Sequence, residues 1–272
     1  MIPKIIHYCW FGKNPLPELA KKCIDSWKIY FPEYQIIEWN ESNFDFKSCP
    51  YISEAYEEKK WAFVSDYARF FLLYKYGGIY FDTDVEVIKD MSEIINKGNF
   101  FGCEIPGVCA PGLGMGAEKG LEVYKEILLM YEKEHFRLEN GRINNKTVVN
   151  YTTDILKIYG LKDTLNIQSV KGILIYPPEY FCPLSFYTKQ INITKNTYTI
   201  HHYTGSWKSK EQLRIEEITN IFLKKFGEKN GRLLSKIIVF PIRLKAKINQ
   251  IGWKKTLKIV LNMNIKGKRT EN

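Results

Sequence analysis

Long apolar segments are missing from this chain of 272 residues. No segment approaches the roughly 20 apolar residues that a helix needs to span a bilayer. The first residues, Met-Ile-Pro-Lys-Ile-Ile-His, also lack the apolar core of a signal peptide. We therefore expect the protein to reside in the cytoplasm, without a membrane-spanning helix.

Cysteine and histidine are scarce and scattered. The six cysteines form no Cys-x-x-Cys pair and no tight cluster with the four histidines, which argues against a zinc site and favours buried thiols in a reducing compartment. The chain also lacks a Gly-x-x-x-x-Gly-Lys-Ser/Thr loop, internal repeats and low-complexity segments. These absences argue against a P-loop phosphate site and a repeat architecture.

Positive charge is concentrated at the C-terminal end. Residues 232–272 hold 11 basic residues and one acidic residue, so this segment carries the whole formal net charge of +10. Leu233, Ile237, Trp253 and Leu257 add apolar positions at helical spacing, a combination typical of a basic amphipathic membrane anchor. The alternatives are a packed helix with a solvated basic face and a nucleic-acid-binding tail without a recognisable motif. We expect a catalytic domain over 1–231 and this tail over 232–272.

Residues 77–86, Gly-Gly-Ile-Tyr-Phe-Asp-Thr-Asp-Val-Glu, place two carboxylates at the end of an apolar run. Positions i and i+2 share one face of an extended segment, so Asp82 and Asp84 can point into one site. Paired oxygen ligands suit Mg²⁺ or Mn²⁺ better than zinc, and such an ion usually completes its shell with substrate phosphates. The pair therefore predicts a diphosphate ligand; the alternative is a surface turn with two solvated aspartates.

Residues 61–76 have the pattern of a buried helix, because aromatic residues recur at helical spacing. Gly77 is expected to end this helix. Asp66 and Arg69 lie three positions apart on this helix, where buried charges are costly unless paired or bound. They form either a structural ion pair or a pair that reaches a polar ligand beside the metal.

The N-terminal region predicts a β-α-β unit, with a strand over 4–10, a helix over 17–31 and a second strand over 34–39. Such a unit favours an α/β fold with a mainly parallel sheet. Ligands of these sheets bind beyond the carboxyl ends of the strands. His7, Trp10 and the Asp82/Asp84 pair fall at or just after predicted strand ends, so they can share one site.

Two adjacent histidines offer a third metal ligand. His201 and His202 point in opposite directions if extended, so only one of them is expected to bind the ion. We select His202; the alternative is that both are structural. Ser206 and Trp207 follow shortly afterwards, where a hydroxyl and an indole N–H can donate to the diphosphate.

Three sequence blocks occur in order along the chain. The first is Ile2-Pro3-Lys4-Ile5-Ile6-His7-Tyr8-Cys9-Trp10-Phe11-Gly12. The second is Ser65-Asp66-x-x-Arg69 followed by Gly77-Gly78-x-Tyr80-x-Asp82-x-Asp84, and the third is His201-His202-Tyr203-x-Gly205-Ser206-Trp207. Together they resemble glycosyltransferase family 32, the DXD-containing sugar transferases that include capsular and exopolysaccharide enzymes and the yeast initiating α-1,6-mannosyltransferase.

The resemblance implies a GT-A-type, Rossmann-like catalytic domain. It implies that Asp66, Arg69, Asp82 and Asp84 are catalytic and that Asp82, Asp84 and His202 bind the metal, with Mn²⁺ favoured over Mg²⁺. The implied nucleotide-sugar site adds a stacking ring and several polar groups: His7, Trp10, Asp66, Arg69, Tyr80, Asp82, Ser206 and Trp207. Retention of anomeric configuration is implied by the family alone.

Two further segments have the composition of ligand-facing loops. Glycines permit close backbone approach in the Gly/Pro-rich stretch over 100–121, and we interpret 111–117 as either a sugar- or acceptor-facing loop or an ordinary connection. The rigid aromatic segment Tyr176-Pro-Pro-Glu-Tyr-Phe181 is a candidate border of the acceptor cleft.

Together these features predict a metal-dependent enzyme that transfers a sugar from a nucleoside diphosphate sugar, with a UDP-sugar favoured, to a carbohydrate or lipid-linked acceptor. A role in capsular, exopolysaccharide or surface glycan synthesis at the inner face of the cell membrane follows. One alternative is a metal-dependent phosphohydrolase of nucleotide sugars. The other is a non-enzymatic basic module that binds membranes or nucleic acid, although we expect no nucleic acid.

Overall fold

A computed structural model of the chain describes residues 1–139, 141–184, 190–205, 210–253 and 256–257. The described residues form two compact units, of which the first comprises residues 1–184 together with 190–204. The second unit begins at Gly205 and contains the C-terminal helical segment. The predicted boundary between residues 231 and 232 lies inside this second unit.

The chain opens with the predicted β-α-β unit. Strand β1 spans Ile5–Cys9, helix α1 spans Glu18–Tyr30, and strand β2 spans Gln35–Trp39. The two strands pair in parallel. Helix α1 buries one stripe of residues spaced three or four positions apart, which is the face that packs in an amphipathic helix: Ala20, Cys23, Ile24 and Trp27.

The remaining strands of the first unit are short. They are β3 Gly78–Tyr80, β4 Val85–Val87, β5 Phe100–Ile105, β6 Val108–Cys109, β7 Met115–Ala117, β8 Gln168–Val170, β9 Ile173–Tyr176 and β10 Thr199–His201.

The main sheet has the strand order β2-β1-β3-β7-β5-β9-β8, and β6 pairs with β5. Strands β1, β2, β3, β5 and β9 run in one direction, while β7 and β8 run in the other. Strands β4 and β10 form a separate antiparallel pair, called here the β4–β10 ribbon. The predicted α/β fold with a mainly parallel sheet is confirmed.

The other helices of the first unit surround this sheet. They are α2 Pro50–Glu57, α3 Trp61–Tyr76, α4 Ser92–Ile95, α5 Glu122–Glu132, α6 Val148–Ile158 and α7 Pro178–Phe181, with a 3-10 turn over Pro111–Leu113. Helix α3 has the predicted bounds, and it packs against α2, α5, β1 and β3. Contacts on several sides explain why this helix is apolar almost all round.

Strand β7 differs from the sequence prediction, which placed residues 111–117 in a loop. Residues 115–117 instead lie in the middle of the main sheet, between β3 and β5. The strand is buried, and a Cβ at Gly116 would come within 2.2 Å of the Phe100 ring. A glycine here gives no β-strand signal in the sequence, yet the neighbouring ring requires it.

The second unit consists of helix α8, Lys210–Ile251. Gly227 has a φ of 75° and a ψ of 175°, so the helical backbone is interrupted there and α8 is two helical segments. No helix in the described part of the chain is both long and apolar enough to cross a membrane.

Candidate active site

The candidate site lies where the chain leaves β3, at the carboxyl end of that strand. Helix α3 places Asp66 and Arg69 on a buried face, and they are 8% and 4% exposed. Strand β3 ends at Tyr80, and Asp82 follows two residues later. In a sheet of this type this is the edge at which ligands bind.

Arg69 connects the two carboxylates. One guanidinium nitrogen, Nη2, lies 3.0 Å from Asp66 Oδ1 and 3.3 Å from Asp82 Oδ1. The guanidinium group also lies 5.0 Å from the centre of the Tyr80 ring, and the Tyr80 hydroxyl donates to Asp82 Oδ1 at 3.1 Å. Arg69 Nε donates to the Ser65 carbonyl at 3.1 Å. The Arg69 and Tyr80 contacts fix the position of Asp82, and the Asp66 and Ser65 contacts hold Arg69 itself.

The electrostatics of this group follow from its burial. Burial raises the pKa of Asp66 to about 6, although Arg69 acts in the opposite direction. Burial alone would lower the pKa of Arg69, but Asp82, Tyr80 and Asp66 raise it, so the guanidinium stays charged. A buried cation thus faces two carboxylates, and breaking such a group leaves an uncompensated charge.

Gly112 allows the chain to approach Asp82 closely. Its carbonyl accepts a hydrogen bond from the Asp82 backbone N–H at 3.1 Å. A Cβ at this position would lie 2.0 Å from Asp82 Oδ2 and 3.3 Å from Arg69 Nη1. Any side chain here would displace the carboxylate, so the glycine-rich stretch contributes to the site through this residue rather than through β7.

Asp84 is held by different partners from those of Asp82. His201 Nε2 lies 3.1 Å from Asp84 Oδ1, and the backbone N–H and hydroxyl of Thr204 both donate to Oδ2 at 2.9 Å. Burial alone would raise the pKa of Asp84, but His201 and Thr204 hold it well below its usual range. Burial alone would lower the pKa of His201, whereas Asp84 raises it. Because Asp84 is held ionised, His201 Nε2 is the donor in this contact, which leaves Nδ1 as the acceptor of a neutral ring.

His202 points away from Asp84. Its Nε2 lies 2.8 Å from Glu86 Oε2, and Lys22 Nζ lies 3.0 Å from the other oxygen of that carboxylate. Adjacent side chains of an extended backbone point in opposite directions, and the two histidines accordingly contact different carboxylates, His201 that of Asp84 and His202 that of Glu86. The histidine beside the Asp-x-Asp segment is thus His201 rather than the His202 that we selected from the sequence.

His7 also differs from its predicted role as a nucleotide-binding residue. The side chain is fully buried. Its Nδ1 accepts a hydrogen bond from Trp39 Nε1 at 3.0 Å, and its Nε2 lies 2.9 Å from the Gly77 carbonyl. Burial lowers the pKa of His7 to about 4, against a smaller opposing effect of that carbonyl. Both nitrogens are used inside the protein, so His7 has a structural role.

Trp10 is partly exposed directly after β1, and its indole N–H donates to the Asn14 carbonyl at 2.6 Å. Its proposed stacking on a base stays a prediction. Ser206 and Trp207 lie outside the described residues, so their contact with a diphosphate also stays a prediction.

The oxygen-rich donor set fits a hard divalent cation. The described residues contain no preassembled group of three metal-binding side chains. Asp82 is 30% exposed at its side chain, and its Oδ2 forms no hydrogen bond within the described chain. The Nδ1 of His201 is buried without a hydrogen-bond partner among the described residues. Two carboxylates and this imidazole are the ligand types that Mn²⁺ and Mg²⁺ accept, with substrate oxygens completing the shell.

Sequence reasoning missed several residues at this site. Thr204 lies inside the closing motif, but nothing in its type distinguishes it from its neighbours. Glu104, on β5, approaches His201 closely enough for the two side chains to affect each other's pKa, and burial raises the pKa of Glu104. The position of a lone glutamate on a buried strand was the only available signal.

Residues 17–101 match the family described as the glycosyltransferase sugar-binding region containing DXD motif. The matched segment contains the group formed by Asp66, Arg69, Tyr80, Asp82 and Asp84. The predicted resemblance to the DXD-containing glycosyltransferases of family 32 is confirmed over this segment.

Two curated relatives cover different shares of the chain. Inositol phosphoceramide mannosyltransferase 1 of Schizosaccharomyces pombe is 32% identical over 110 residues, which are 36% of this chain and 33% of that protein. Lactosylceramide 4-alpha-galactosyltransferase of Pan troglodytes is 26% identical over 161 residues, which are 55% of this chain and 42% of that protein. The chain thus spans less than half the length of these two relatives.

Two solved structures also overlap with this chain. The PaToxG glycosyltransferase has a TM-score of 0.44 at 20% identity, over 58% of this chain and 69% of its own. A glycosyltransferase involved in glycosylation of the major capsid of PBCV-1 has a TM-score of 0.42 at 15% identity, over 75% of this chain and 95% of its own.

Proposed function

We propose that this protein transfers a sugar from a nucleoside diphosphate sugar, with a UDP-sugar favoured, to a carbohydrate or lipid-linked acceptor. The observation that carries the proposal is the arrangement of the Asp-x-Asp segment. Asp82 is fixed by Arg69 and Tyr80, while Asp84 is fixed by His201 and Thr204. Carboxylates held in this way, in a family defined by a sugar-binding DXD region, suit a donor that carries two phosphates.

Each protein group has a distinct task in this proposal. Asp66 and Arg69 orient hydroxyl groups of the donor, because a buried charged pair gives directional hydrogen bonds where water is scarce. Trp10 stacks on the base, and Ser206 and Trp207 donate to the diphosphate. Asp82, Asp84 and His201 would hold Mn²⁺, or alternatively Mg²⁺, which would stabilise negative charge on the departing nucleoside diphosphate.

The proposed acceptor is a glycan or a lipid-linked oligosaccharide. Support comes from two relatives, an inositol phosphoceramide mannosyltransferase and a lactosylceramide galactosyltransferase, whose names specify lipid-borne acceptors. We place the activity in capsular, exopolysaccharide or surface glycan synthesis, with retention of anomeric configuration.

A panel of nucleotide sugars, incubated with the protein, Mn²⁺ and a mixture of lipid-linked and free glycan acceptors, tests the reaction. We expect acceptor-dependent release of nucleoside diphosphate from one donor and a product that has gained one sugar. Release of nucleotide at the same rate without acceptor would indicate hydrolysis and contradict the proposal.

Trp10→Ala should weaken binding of the active nucleotide by about 1–3 kcal/mol if the ring stacks on the base.

We further propose that the protein is peripheral on the inner face of the cell membrane. Support comes from α8, on which Leu233, Ile237 and Phe240 recur at helical spacing and are more than half exposed. Basic residues share the helix, and each contributes about 1 kcal/mol near an anionic lipid surface. An enzyme held in this way would meet lipid-linked acceptors in two dimensions.

Flotation of the full chain with anionic and neutral liposomes tests this location. We expect binding to anionic liposomes that weakens between 0.1 M and 1 M salt, because the Debye length falls from about 10 Å to about 3 Å. Replacement of Leu233, Ile237 and Phe240 by serine should abolish flotation. The matched control replaces Ile158 and Leu165, which are 78% and 71% exposed in the first unit. Equal flotation of both variants would contradict the anchor.

A further inference from the structure

A second polar cavity lies in the first unit, away from the Asp-x-Asp segment. Its volume is about 300 Å³, which is the lower end of the range for small-molecule sites. Its lining combines aromatic rings with charged side chains, among them Lys89, Glu93, Lys97, Tyr176, Tyr180, Lys195 and Tyr198.

Three tyrosines form an aromatic wall of this cavity. The rings of Tyr180 and Tyr198 are nearly parallel, with an interplanar angle of 9° and centroids 6.1 Å apart. Tyr176 approaches Tyr180 with a centroid distance of 5.0 Å. Aromatic side chains with hydroxyl groups offer an apolar face and a polar edge together, which matches the two kinds of surface that a pyranose ring presents.

The hydroxyl of Tyr176 provides an independent indication of a ligand. The residue is 1% exposed, and its hydroxyl has no hydrogen-bond partner among the described residues. Leaving a buried hydroxyl without a partner costs about 1–3 kcal/mol. A polar ligand in the cavity that this side chain lines would remove that cost.

Positive charge exceeds negative charge around the cavity, since three lysines face one glutamate. Glu93 is already engaged, because it accepts hydrogen bonds from Lys97 at 2.8 Å and from the Tyr198 hydroxyl at 3.0 Å. Lys89 lies 4.4 Å from the centre of the Tyr198 ring and donates to the Lys195 carbonyl at 2.8 Å. The ammonium group of Lys195 forms no ion pair within the described part of the chain, so it is available to an anion.

We propose that this cavity binds an anionic sugar residue, that is, a sugar ring that carries a carboxylate or a phosphate. Tyr180, the least buried of the three tyrosines, contacts the ring, the Tyr176 hydroxyl bonds one of its oxygens, and Lys195 with Lys89 pairs with the acidic group. Charge-assisted hydrogen bonds of this kind are stronger than neutral ones.

The position of the cavity suggests why a glycosyltransferase would hold such a residue. Tyr198 directly precedes β10 and Lys89 follows β4, whereas Asp84 and His201 lie at the other end of the same ribbon. Lys89 lies five residue steps after Asp84, which corresponds to at most about 17 Å. The cavity can therefore serve as a distal subsite for an acidic acceptor glycan, and this role rests on the proposed function. The binding of an anionic sugar by the cavity does not depend on that function.

Direct titration of the full chain tests the proposal, with glucuronic acid, glucose 1-phosphate, glucose and inorganic phosphate as probes and NMR or calorimetry as the readout. We expect at least one of the two acidic sugars to bind saturably and glucose to bind about tenfold more weakly. The stronger of the two identifies carboxylate or phosphate as the acidic group. Equal affinity for glucose, equal affinity for inorganic phosphate, or no saturable binding of either acidic sugar would overturn the proposal.

Two variants locate the binding. Lys195→Ala and Tyr176→Phe should each weaken binding about fivefold or more, while Lys157→Ala, which removes an exposed lysine of α6, should leave it unchanged. Tyr176→Phe should not lower the melting temperature, because it removes a hydroxyl without a partner. Unchanged affinity in both variants, with folding retained, would overturn the assignment to this cavity.

A third variant separates this inference from the proposed function. Asp82→Asn should lose sugar transfer yet bind the acidic sugar as the unmodified protein does. Loss of acidic-sugar binding in Asp82→Asn would place that ligand in the donor site and overturn the second pocket. Retained binding in a protein that transfers no sugar from any donor would contradict only the proposed function.

Discussion

His7 is a fully buried imidazole of the first unit and His201 a largely buried one, and their partners shift their pKa values in opposite directions. His7 accepts from Trp39 and lies against the Gly77 carbonyl, so the neutral ring satisfies both nitrogens and its pKa is lowered to about 4. His201 faces the Asp84 carboxylate at 3.1 Å, and its pKa is raised. Burial by itself therefore does not decide whether a histidine of this protein is structural or belongs to the site; the hydrogen-bonding partner does.

The largest effect is expected where the partner of His201 is removed. Asp84→Asn keeps the volume of the side chain but removes its charge, so we expect sugar transfer to fall by about 10³-fold. The same change should lower the pKa of His201, which NMR titration of the imidazole measures. Glu86→Gln is the matched control beside His202 and should change transfer by less than about threefold. Full activity of Asp84→Asn would remove Asp84 from the catalytic set.

The second prediction concerns the pH dependence of stability that His7 imposes. Its pKa in the folded protein is about 4, against 6.5 ordinarily, so the unfolded chain takes up the proton first as the pH falls. The stabilisation is complete above pH 6.5 and is lost as the pH falls towards 4, by about 3 kcal/mol in total. Chemical unfolding at pH 7 and pH 4 measures this loss.

His7→Gln is the control for this titration, because glutamine can donate and accept but does not ionise in this range. The variant should lose about 3 kcal/mol less than the unmodified protein between the two pH values. An identical loss in both proteins would assign the pH dependence to other groups and would end the contrast between His7 and His201.

The third prediction distinguishes the two adjacent histidines. His201→Gln should weaken Mn²⁺-dependent binding of the nucleoside diphosphate about tenfold or more, since metal sites lose affinity on this scale when even a supporting residue is changed. His202→Gln, which alters the Glu86 side of the ribbon, should leave that binding within about threefold. Calorimetry with and without Mn²⁺ measures both. The reverse order of effects would restore the sequence-based choice of His202.

Periodic patterns made the outer framework of the fold predictable. The β-α-β opening and the helix over Trp61–Tyr76 follow from apolar spacing in segments long enough to carry a period. Strand β7 was not predictable, because Gly116 has no strand propensity and its place in the sheet depends on the Phe100 ring of the neighbouring strand β5.

The site was predictable in composition but not in its pairings. Motif spacing identified Asp66, Arg69, Asp82 and Asp84, and even showed that His201 and His202 would face opposite sides of a strand. Which histidine meets Asp84 depends on the turn before β4, because Asp84 lies in that turn rather than in the strand and its side chain reaches His201 and Thr204. The alternation of side chains along a strand does not extend to a residue in a turn, so the sequence pattern could not select the histidine.

The smallest effect is expected at Thr204, whose hydroxyl and backbone N–H both donate to Asp84 Oδ2 at 2.9 Å. Thr204→Val removes the hydroxyl and keeps the backbone N–H, so Asp84 loses one hydrogen bond, worth about 0.5–1.5 kcal/mol net. We expect transfer to fall between about twofold and tenfold. Thr204→Ser restores the hydroxyl and should restore transfer to within about twofold. If valine left transfer unchanged, the backbone N–H and His201 would be sufficient to hold Asp84. If serine failed to rescue, the methyl group of Thr204 rather than its hydroxyl would be the important contact.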